Sequence, residues 1–316
     1  MKKPRHLLSI ADLSKKEVQG LLKLAEEVKQ HPKKYHKALY EKVLLTFFQM
    51  PSLRTEVSFD VAMFTMGGEI VDYHSETSPW AKGKESIEDV GRVVSRYVDA
   101  VMMRMHDHQE LIKFAKNCSV PVINGLTSYE HPCQVLSDMQ TIQEKLGRLA
   151  GLKLAYFGDS LNNVTHSLLL MCAMLGIHIT VACPKKKAYL PDPKILKLAR
   201  SLAIKYNKGS IEIRVTDNPV KAAKDADVVY TDSWMSYHIP PEEKPKRMKD
   251  LKPYQVTPKI MQQAKKTAIF MHDLPGLRGM EVTAAVMDSK QSVIYDQAEN
   301  RLHMEKAVLL WLLQKK

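Results

Sequence analysis

Val43-Leu-Leu-Thr-Phe-Phe48, continuing as Gln49-Met50-Pro51-Ser52-Leu53-Arg54-Thr55, is the stretch from which the fold is read. Its first six residues are apolar or β-favouring without alternation, the pattern of a strand covered on both faces, as in a parallel sheet. Ser52 after Pro51 opens a helix by offering a side-chain cap. The same strand-then-helix grammar recurs on both sides. Upstream, Ser14-Lys-Lys-Glu17 reads as a capping box, with Val18, Leu21, Leu22, Ala25 and Val28 on one helical stripe. Downstream come strand Ile70 to Tyr73, helix Ile87 to Arg96, strand Ala100 to Met103, a helix from Gln109, strand Val120 to Ile123, and helix Pro132 to Lys145.

Gly147 to Gly151 marks a boundary, after which a second series begins. It runs strand Leu152 to Phe157, helix Asn163 to Leu175, strand His178 to Ala182, helix Lys194 to Lys205, strand Glu212 to Val215 and strand Val228 to Thr231. A helix near Pro258, strands Ala268 to Met271 and Val293 to Tyr295, and a last helix from Ala298 complete it. Buried strands joined by helical crossovers predict an α/β protein with two doubly wound domains, mainly parallel sheets, and an active site in the cleft between them.

Composition agrees. The chain has 316 residues, 45% hydrophobic and 26% charged, which excludes disordered and fibrous classes. The net charge of +12 favours anionic partners. Lys and Arg are dispersed without interleaved aromatics, so nucleic acid is not expected. Four cysteines without metal-type spacing suit a reduced, cytoplasmic protein. The N-terminal apolar run is too short for a signal-peptide core, and the longest, Leu168 to Ile177, is too short to span a bilayer.

In open α/β sheets ligands bind beyond the carboxyl ends of the strands. Polar residues follow six of the strands here: Ser52-Leu53-Arg54-Thr55, Arg104-Met105-His106, His131-Pro132-Cys133-Gln134, Gly158-Asp159 with Asn162-Asn163, Asp232 to Ser236, and His272-Asp273-Leu274-Pro275. The first offers helix N–H groups, two hydroxyls and a guanidinium to one anion.

These stretches, in this order, with Glu299-Asn300-Arg301 and Gly279 to Thr283, resemble the aspartate/ornithine carbamoyltransferases along nearly the whole chain, the ornithine branch most closely. The resemblance implies transfer of the carbamoyl group of carbamoyl phosphate to a side-chain amine, with L-ornithine the leading acceptor and L-citrulline and phosphate the products. It implies a carbamoyl-phosphate-binding domain over 1–147, an amino-acid-binding domain over 148–297, and a last helix, 298–316, packed back on the first. By the same match Ser52, Leu53, Arg54 and Thr55 hold the phosphate, and Arg104 and Arg301 add positive charge. His131 and Gln134 hold the carbamoyl group, and the Leu274 backbone accepts its NH2. Asn163, Asp232, Ser236 and Tyr237 take the amino acid. The family trimer places the Trp80 loop in a neighbouring subunit's donor site. Neither a metal nor a cofactor is implied, since donors aimed at a developing oxyanion and a departing phosphate suffice.

Four departures stand out. Glu56 occupies the place of an Arg after the phosphate motif. Trp80, in Ser78-Pro79-Trp80-Ala81-Lys82, stands where the ornithine branch has Gln, and an acetylornithine-type branch also uses a Trp there. Ser236-Tyr237-His238 replaces Ser-Met-Gly, and Asp273 replaces a cysteine. A carboxylate at 273 favours the ammonium form of the amine, unless it acts as general base or recognises an additional cation. Other acceptors (lysine, acetylornithine, putrescine) therefore stay open. A catalytically silent paralogue is the rival reading: Glu56 and Asp273 speak for it, Arg54, Arg104 and His131 against.

Overall fold

A computed structural model describes residues 4–74, 80, 83–236 and 239–314. The chain divides into two compact units, Met1–Gln140 with Asn300–Lys316, and Thr141–Glu299.

The first unit contains helix α1 (Lys15–Gln30), strand β1 (Val43–Phe48), α2 (Leu53–Thr65), β2 (Glu69–His74), α3 (Ile87–Val94), β3 (Ala100–Arg104), α4 (His108–Asn117) and β4 (Val122–Leu126). The α1 capping box forms: the Glu17 N–H donates to Ser14 Oγ at 3.3 Å, and the Ser14 N–H to the Glu17 carboxylate at 2.9 Å. The four strands pair in parallel in the order β2-β1-β3-β4. β1 is buried from Leu44 onward, as its unbroken apolar run requires, whereas β2 at the edge is largely exposed. Leu45, Phe47, Val101, Met103 and Val122 pack against Leu111 and Phe114 of α4 to form one core.

Helix α5 (Pro132–Leu146) carries the chain across the division. The second unit then holds β5 (Lys153–Phe157), α6 (Asn163–Leu175), β6 (His178–Ala182), α7 (Pro193–Asn207), β7 (Ile213–Thr216), α8 (Pro219–Ala223), β8 (Val228–Thr231), α9 (Lys244–Leu251), α10 (Pro258–Met261), β9 (Ile269–Met271) and α11 (Ala284–Met287). Its five strands run parallel in the order β7-β6-β5-β8-β9. Helix α12 (Ile294–Leu313) ends the chain. The apolar run Leu168 to Leu175 is part of α6, buried from Val164 onward. No helix among the described residues is long and apolar enough to cross a membrane.

One expected strand is corrected. Val293 to Tyr295 is not a strand; α12 begins at Ile294. The β-rich look of Ser292-Val293-Ile294-Tyr295 has a local cause: Val293 donates its N–H to the Phe270 carbonyl at 3.0 Å, and Phe270 donates to the Gln291 carbonyl at 2.7 Å. A single bridge to β9 forms at Ser292, and the chain then turns into the helix.

The Glu56 departure has a visible neighbourhood. His74 Nε2 lies 3.7 Å from Glu56, and Asp60, one turn along α2, feels the charges of Asp72 and Glu56. Burial, then Asp72 and Glu56, push the Asp60 carboxyl up to about 6.

Candidate functional site

In each sheet the strand order reverses beside the first strand: between β1 and β3 in the first unit, and between β5 and β8 in the second. Such switch points leave a crevice at the carboxyl ends of the strands, because the crossovers on either side run to opposite faces. The sequence puts its polar motifs there.

At the first switch point, Phe48 of β1 is in register with Arg104 of β3, so Ser52 to Thr55 and Arg104 leave neighbouring strand ends. Ser52 caps α2: its Oγ accepts the Thr55 N–H at 3.4 Å and donates to Thr55 Oγ1 at 3.1 Å. The helix start therefore holds two hydroxyls and the positive end of a helix dipole together. Leu53 begins α2 with its side chain 76% exposed, so only its backbone can serve a ligand at the cap. Gln49 fixes the crossing by donating its N–H to the Arg104 carbonyl and accepting the His106 N–H, both at 2.8 Å. Between Met103 and Arg104 the β3–β4 register shifts, so that Arg104 pairs with Leu126 past Gly125. A Cβ on Gly125 would press into Met102 and the Met103 carbonyl, so glycine lets the bulge close. The bulge re-aims Arg104, which is nearly fully buried.

His131 precedes α5 and is also buried. Its pKa lies well below the ordinary value because it is desolvated and faces Arg301, Arg104 and Arg54. A neutral imidazole among three guanidinium groups is an arrangement that an anion would complete. Arg301 is not loose. It donates to Gln134 Oε1 at 2.9 Å, to Thr55 Oγ1 at 3.2 Å, and to Glu305 Oε1 through Nε at 3.0 Å and a terminal nitrogen at 2.7 Å. Gln134 in turn donates to Asp138 at 2.9 Å, which fixes its carbonyl toward Arg301. The first unit thus brings Ser52, Arg54, Thr55, Arg104, His131, Gln134 and Arg301 into one neighbourhood. Trp80 lies elsewhere: its ring meets Phe47 edge-on at 5.7 Å. Residues 75–79 and 81–82 lie outside the described residues, as do Tyr237 and His238.

At the second switch point β5, β8 and β9 are neighbours, which aligns Asn163, Asp232 and the His272–Leu274 segment beyond their ends. Asn162 caps α6 by accepting the Thr165 N–H at 2.7 Å, and Asn163, half-buried, is the first helical residue. Asp232 is buried and Ser236 half-buried four residues on. His272 is fully buried; its Nδ1 accepts the Leu274 N–H at 2.9 Å, leaving Nε2 to donate to Glu281 at 3.1 Å. Leu274 itself has φ of 58°, a backbone setting that a residue with a Cβ keeps only where its surroundings enforce it. Asp232, His272 and Asp273 each place a possible ligand atom within 4.8 Å of the others, close enough to hold a metal ion. The imidazole lone pair such an ion needs is already engaged by the Leu274 amide.

Asp159 plays a different part. It forms a buried ion pair with Arg247 of α9, and Arg247 also donates to the Trp234 carbonyl at 2.7 Å. This pair ties the loop after β5 to the loop after β8. Arg247 sits in the basic run Lys244-Pro-Lys-Arg247, which looks like a solvated face, so sequence offered no signal for it. Glu305 was likewise missed, although its i,i+4 spacing from Arg301 was a usable hint.

Residues 5–144 match the family model for the carbamoyl-P binding domain of aspartate/ornithine carbamoyltransferase, and residues 150–312 match the model for its Asp/Orn binding domain. The chain is similar to an ornithine carbamoyltransferase of Methanococcus aeolicus, 43% identical over 310 residues that cover 98% of this chain and 100% of the relative. One from Thermococcus kodakarensis is 46% identical, covering 96% and 95%. Among solved structures, the ornithine carbamoyltransferase from Pyrococcus furiosus matches with a TM-score of 0.92 and 43% identity, over 98% of this chain and 97% of that one. The reversal points, the residues at them and these likenesses agree: the chain belongs to the aspartate/ornithine carbamoyltransferase family.

Proposed function

We propose that this enzyme moves the carbamoyl group of carbamoyl phosphate to the side-chain amine of L-ornithine, giving L-citrulline and phosphate. The observation that carries this reading is the neutral, buried His131 set among Arg54, Arg104 and Arg301 beside the capped start of α2. Ser52, Arg54, Thr55 and the first N–H groups of α2, Leu53 included, take the phosphate. Arg104 and His131 donate to the carbamoyl oxygen, where negative charge develops as the amine attacks. A neutral imidazole can donate there without adding a fourth charge. Gln134 and Arg301 hold the other side of the group, and the Leu274 backbone accepts its NH2. Asn163, Asp232, Ser236 and Tyr237 take the amino acid, with Asp232 suited to an ammonium. No step needs a covalent enzyme intermediate; fixing two substrates and meeting the departing charge supply the acceleration.

The relative in Pyrococcus furiosus named as anabolic supports the synthetic direction and a place in arginine biosynthesis. Four buried free thiols suit a reducing cytoplasm. A homotrimer in which Trp80 completes a neighbour's donor site is consistent with apolar side chains exposed on α2 (Leu53, Val57, Phe64) and on edge strand β2 (Val71, Tyr73).

A crystal structure with a phosphonate analogue that joins the carbamoyl group covalently to the ornithine side-chain nitrogen tests these assignments together. The phosphonate is expected on Ser52, Arg54, Thr55 and Arg104, the carbonyl on His131, and a neighbouring copy's Trp80 at the phosphonate. A phosphonate bound away from the α2 cap overturns the site.

A further inference from the structure

His131 is reached through a short loop whose last residue before it, Glu130, is held by both its backbone and its side chain. β4 ends at Leu126 and α5 begins at Pro132; between them Thr127 to Glu130 form a closed turn. The Thr127 N–H donates to the Glu130 carbonyl at 3.0 Å, and the Glu130 N–H donates back to Thr127 Oγ1 at 3.2 Å. Asn124 Nδ2 of β4 reaches the same carbonyl at 3.4 Å, and His108 Nδ1 of α4 lies 3.0 Å from Thr127 Oγ1.

The Glu130 side chain engages a different element. It is 2% exposed, and a carboxylate so placed requires hydrogen-bond donors. Two come from the N-terminal segment, 121 and 120 residues earlier: Ser9 Oγ donates to one oxygen at 2.5 Å, and the Ile10 N–H donates to the other at 3.0 Å. That segment is itself anchored. Leu7 bridges Ile123 in parallel, donating its N–H to the Val122 carbonyl at 2.9 Å and accepting the Asn124 N–H at 2.8 Å. Asn124 Nδ2 also donates to the Leu8 carbonyl at 2.8 Å. Asp12 accepts the Leu8 and Ser9 N–H groups at 3.1 and 2.9 Å, while Leu7 and Ile10 are fully buried. Residues 7–12 thus lie as a strap along edge strand β4, and Glu130 is where the strap grips the loop.

We propose that Glu130 is a positioning residue for carbamoyl transfer: clamped by the N-terminal strap, it sets the place of the His131 imidazole. The inference rests on the functional reading above, in which His131 donates to the carbamoyl oxygen as charge develops there. Such a donor acts only at its correct distance, and a misplacement of about 1 Å costs on the order of 10²-fold. Pro132 restricts the His131 backbone from the other side, so a shift at residue 130 passes to the imidazole. A carboxylate meeting two donors makes a stronger clamp than a neutral acceptor would.

Glu130→Ala should lower kcat roughly 10²-fold and leave KM for both substrates near the parental value, because the imidazole contributes in the transition state. Glu130→Gln keeps the shape, accepting from Ile10 and donating to Ser9, and should recover most of that loss. Ser9→Ala removes one donor and should give a smaller fall of the same kind. The double variant Ser9→Ala/Glu130→Ala should be no slower than Glu130→Ala alone, since both act through one contact.

The deciding measurement repeats Glu130→Ala in a His131→Ala enzyme, with ¹⁵N NMR of the His131 ring taken on substrate-free Glu130→Ala and Glu130→Gln enzymes. Acting through the imidazole, Glu130→Ala should change the residual kcat of the His131→Ala enzyme by less than about twofold. The ring resonances should shift in Glu130→Ala and return in Glu130→Gln. An equal loss of kcat with and without His131 gives Glu130 a general structural role and overturns the proposal, as does a Glu130→Ala enzyme with parental kcat. Where Glu130→Ala does not fold, Ser9→Ala takes its place in both comparisons, with the same outcomes. Parental kcat in the His131→Ala enzyme faults the functional reading instead. The ring resonances then decide the placement by themselves, and resonances unmoved in Glu130→Ala overturn it.

Discussion

An Arg54→Ala enzyme should transfer the carbamoyl group roughly 10²–10³-fold more slowly than the parent while unfolding at the same temperature. The magnitude is that of one donor withdrawn from a developing oxyanion in a water-poor site. Arg54 acts on His131 through its charge, together with Arg104 and Arg301, and it follows the Ser52 cap by two residues. It is only half-buried, so its removal opens no cavity in the core. Activity and stability should therefore separate. Steady-state kinetics and thermal unfolding of the same preparation check both halves. Near-parental kcat in the variant would remove the phosphate cradle from the account.

Arg301→Met should behave differently, losing stability and activity together. Arg301 is about as buried as a side chain becomes, and its guanidinium holds Thr55, Gln134 and Glu305 at once. Burial already pushes the Glu305 carboxyl up against the pull of Arg301. Without its partner, that carboxylate is stranded in a fully buried setting, and breaking a buried pair from one side costs about 3–5 kcal/mol. Denaturant unfolding should show this as a lower midpoint at unchanged slope. The double variant Arg301→Met/Glu305→Leu removes both charges. It should recover most of the stability and none of the carbamoyl transfer, because Gln134 and Thr55 remain unheld. Equal stability of the single variant and the parent would show that Arg301 is not a latch.

What the sequence revealed depended on the range of the interaction involved. β1 and β5 were legible because a strand covered on both faces must be apolar throughout, and the caps Ser14 and Ser52 were legible because a cap acts within three residues. The edge strand β2 was found despite its exposure from the short run Ile70 to Tyr73. Val293 to Tyr295 misled because one backbone bridge to β9 selects β-favouring residues at a point where the helix is about to begin. Arg301 was identified by motif as a positive charge. That it is spent on holding Thr55 and Gln134, 246 and 167 residues away, could not be read from local pattern. The same holds for Arg247, whose basic run looks solvent-facing until Asp159 is placed beside it. Asp273 was conspicuous as an exchange for cysteine, but its place near Asp232 and His272 needed the order of β8 and β9.

The central claim is that this enzyme carbamoylates ornithine. It is tested most directly by incubating the purified enzyme with ¹⁴C-carbamoyl phosphate and, in parallel, L-ornithine, L-lysine, acetylornithine and putrescine, and measuring labelled ureido product and released phosphate. The account predicts labelled citrulline and phosphate in equal amounts, with L-ornithine giving the highest kcat/KM. Phosphate release without a ureido product, or a higher kcat/KM for any of the other three amines, would contradict it.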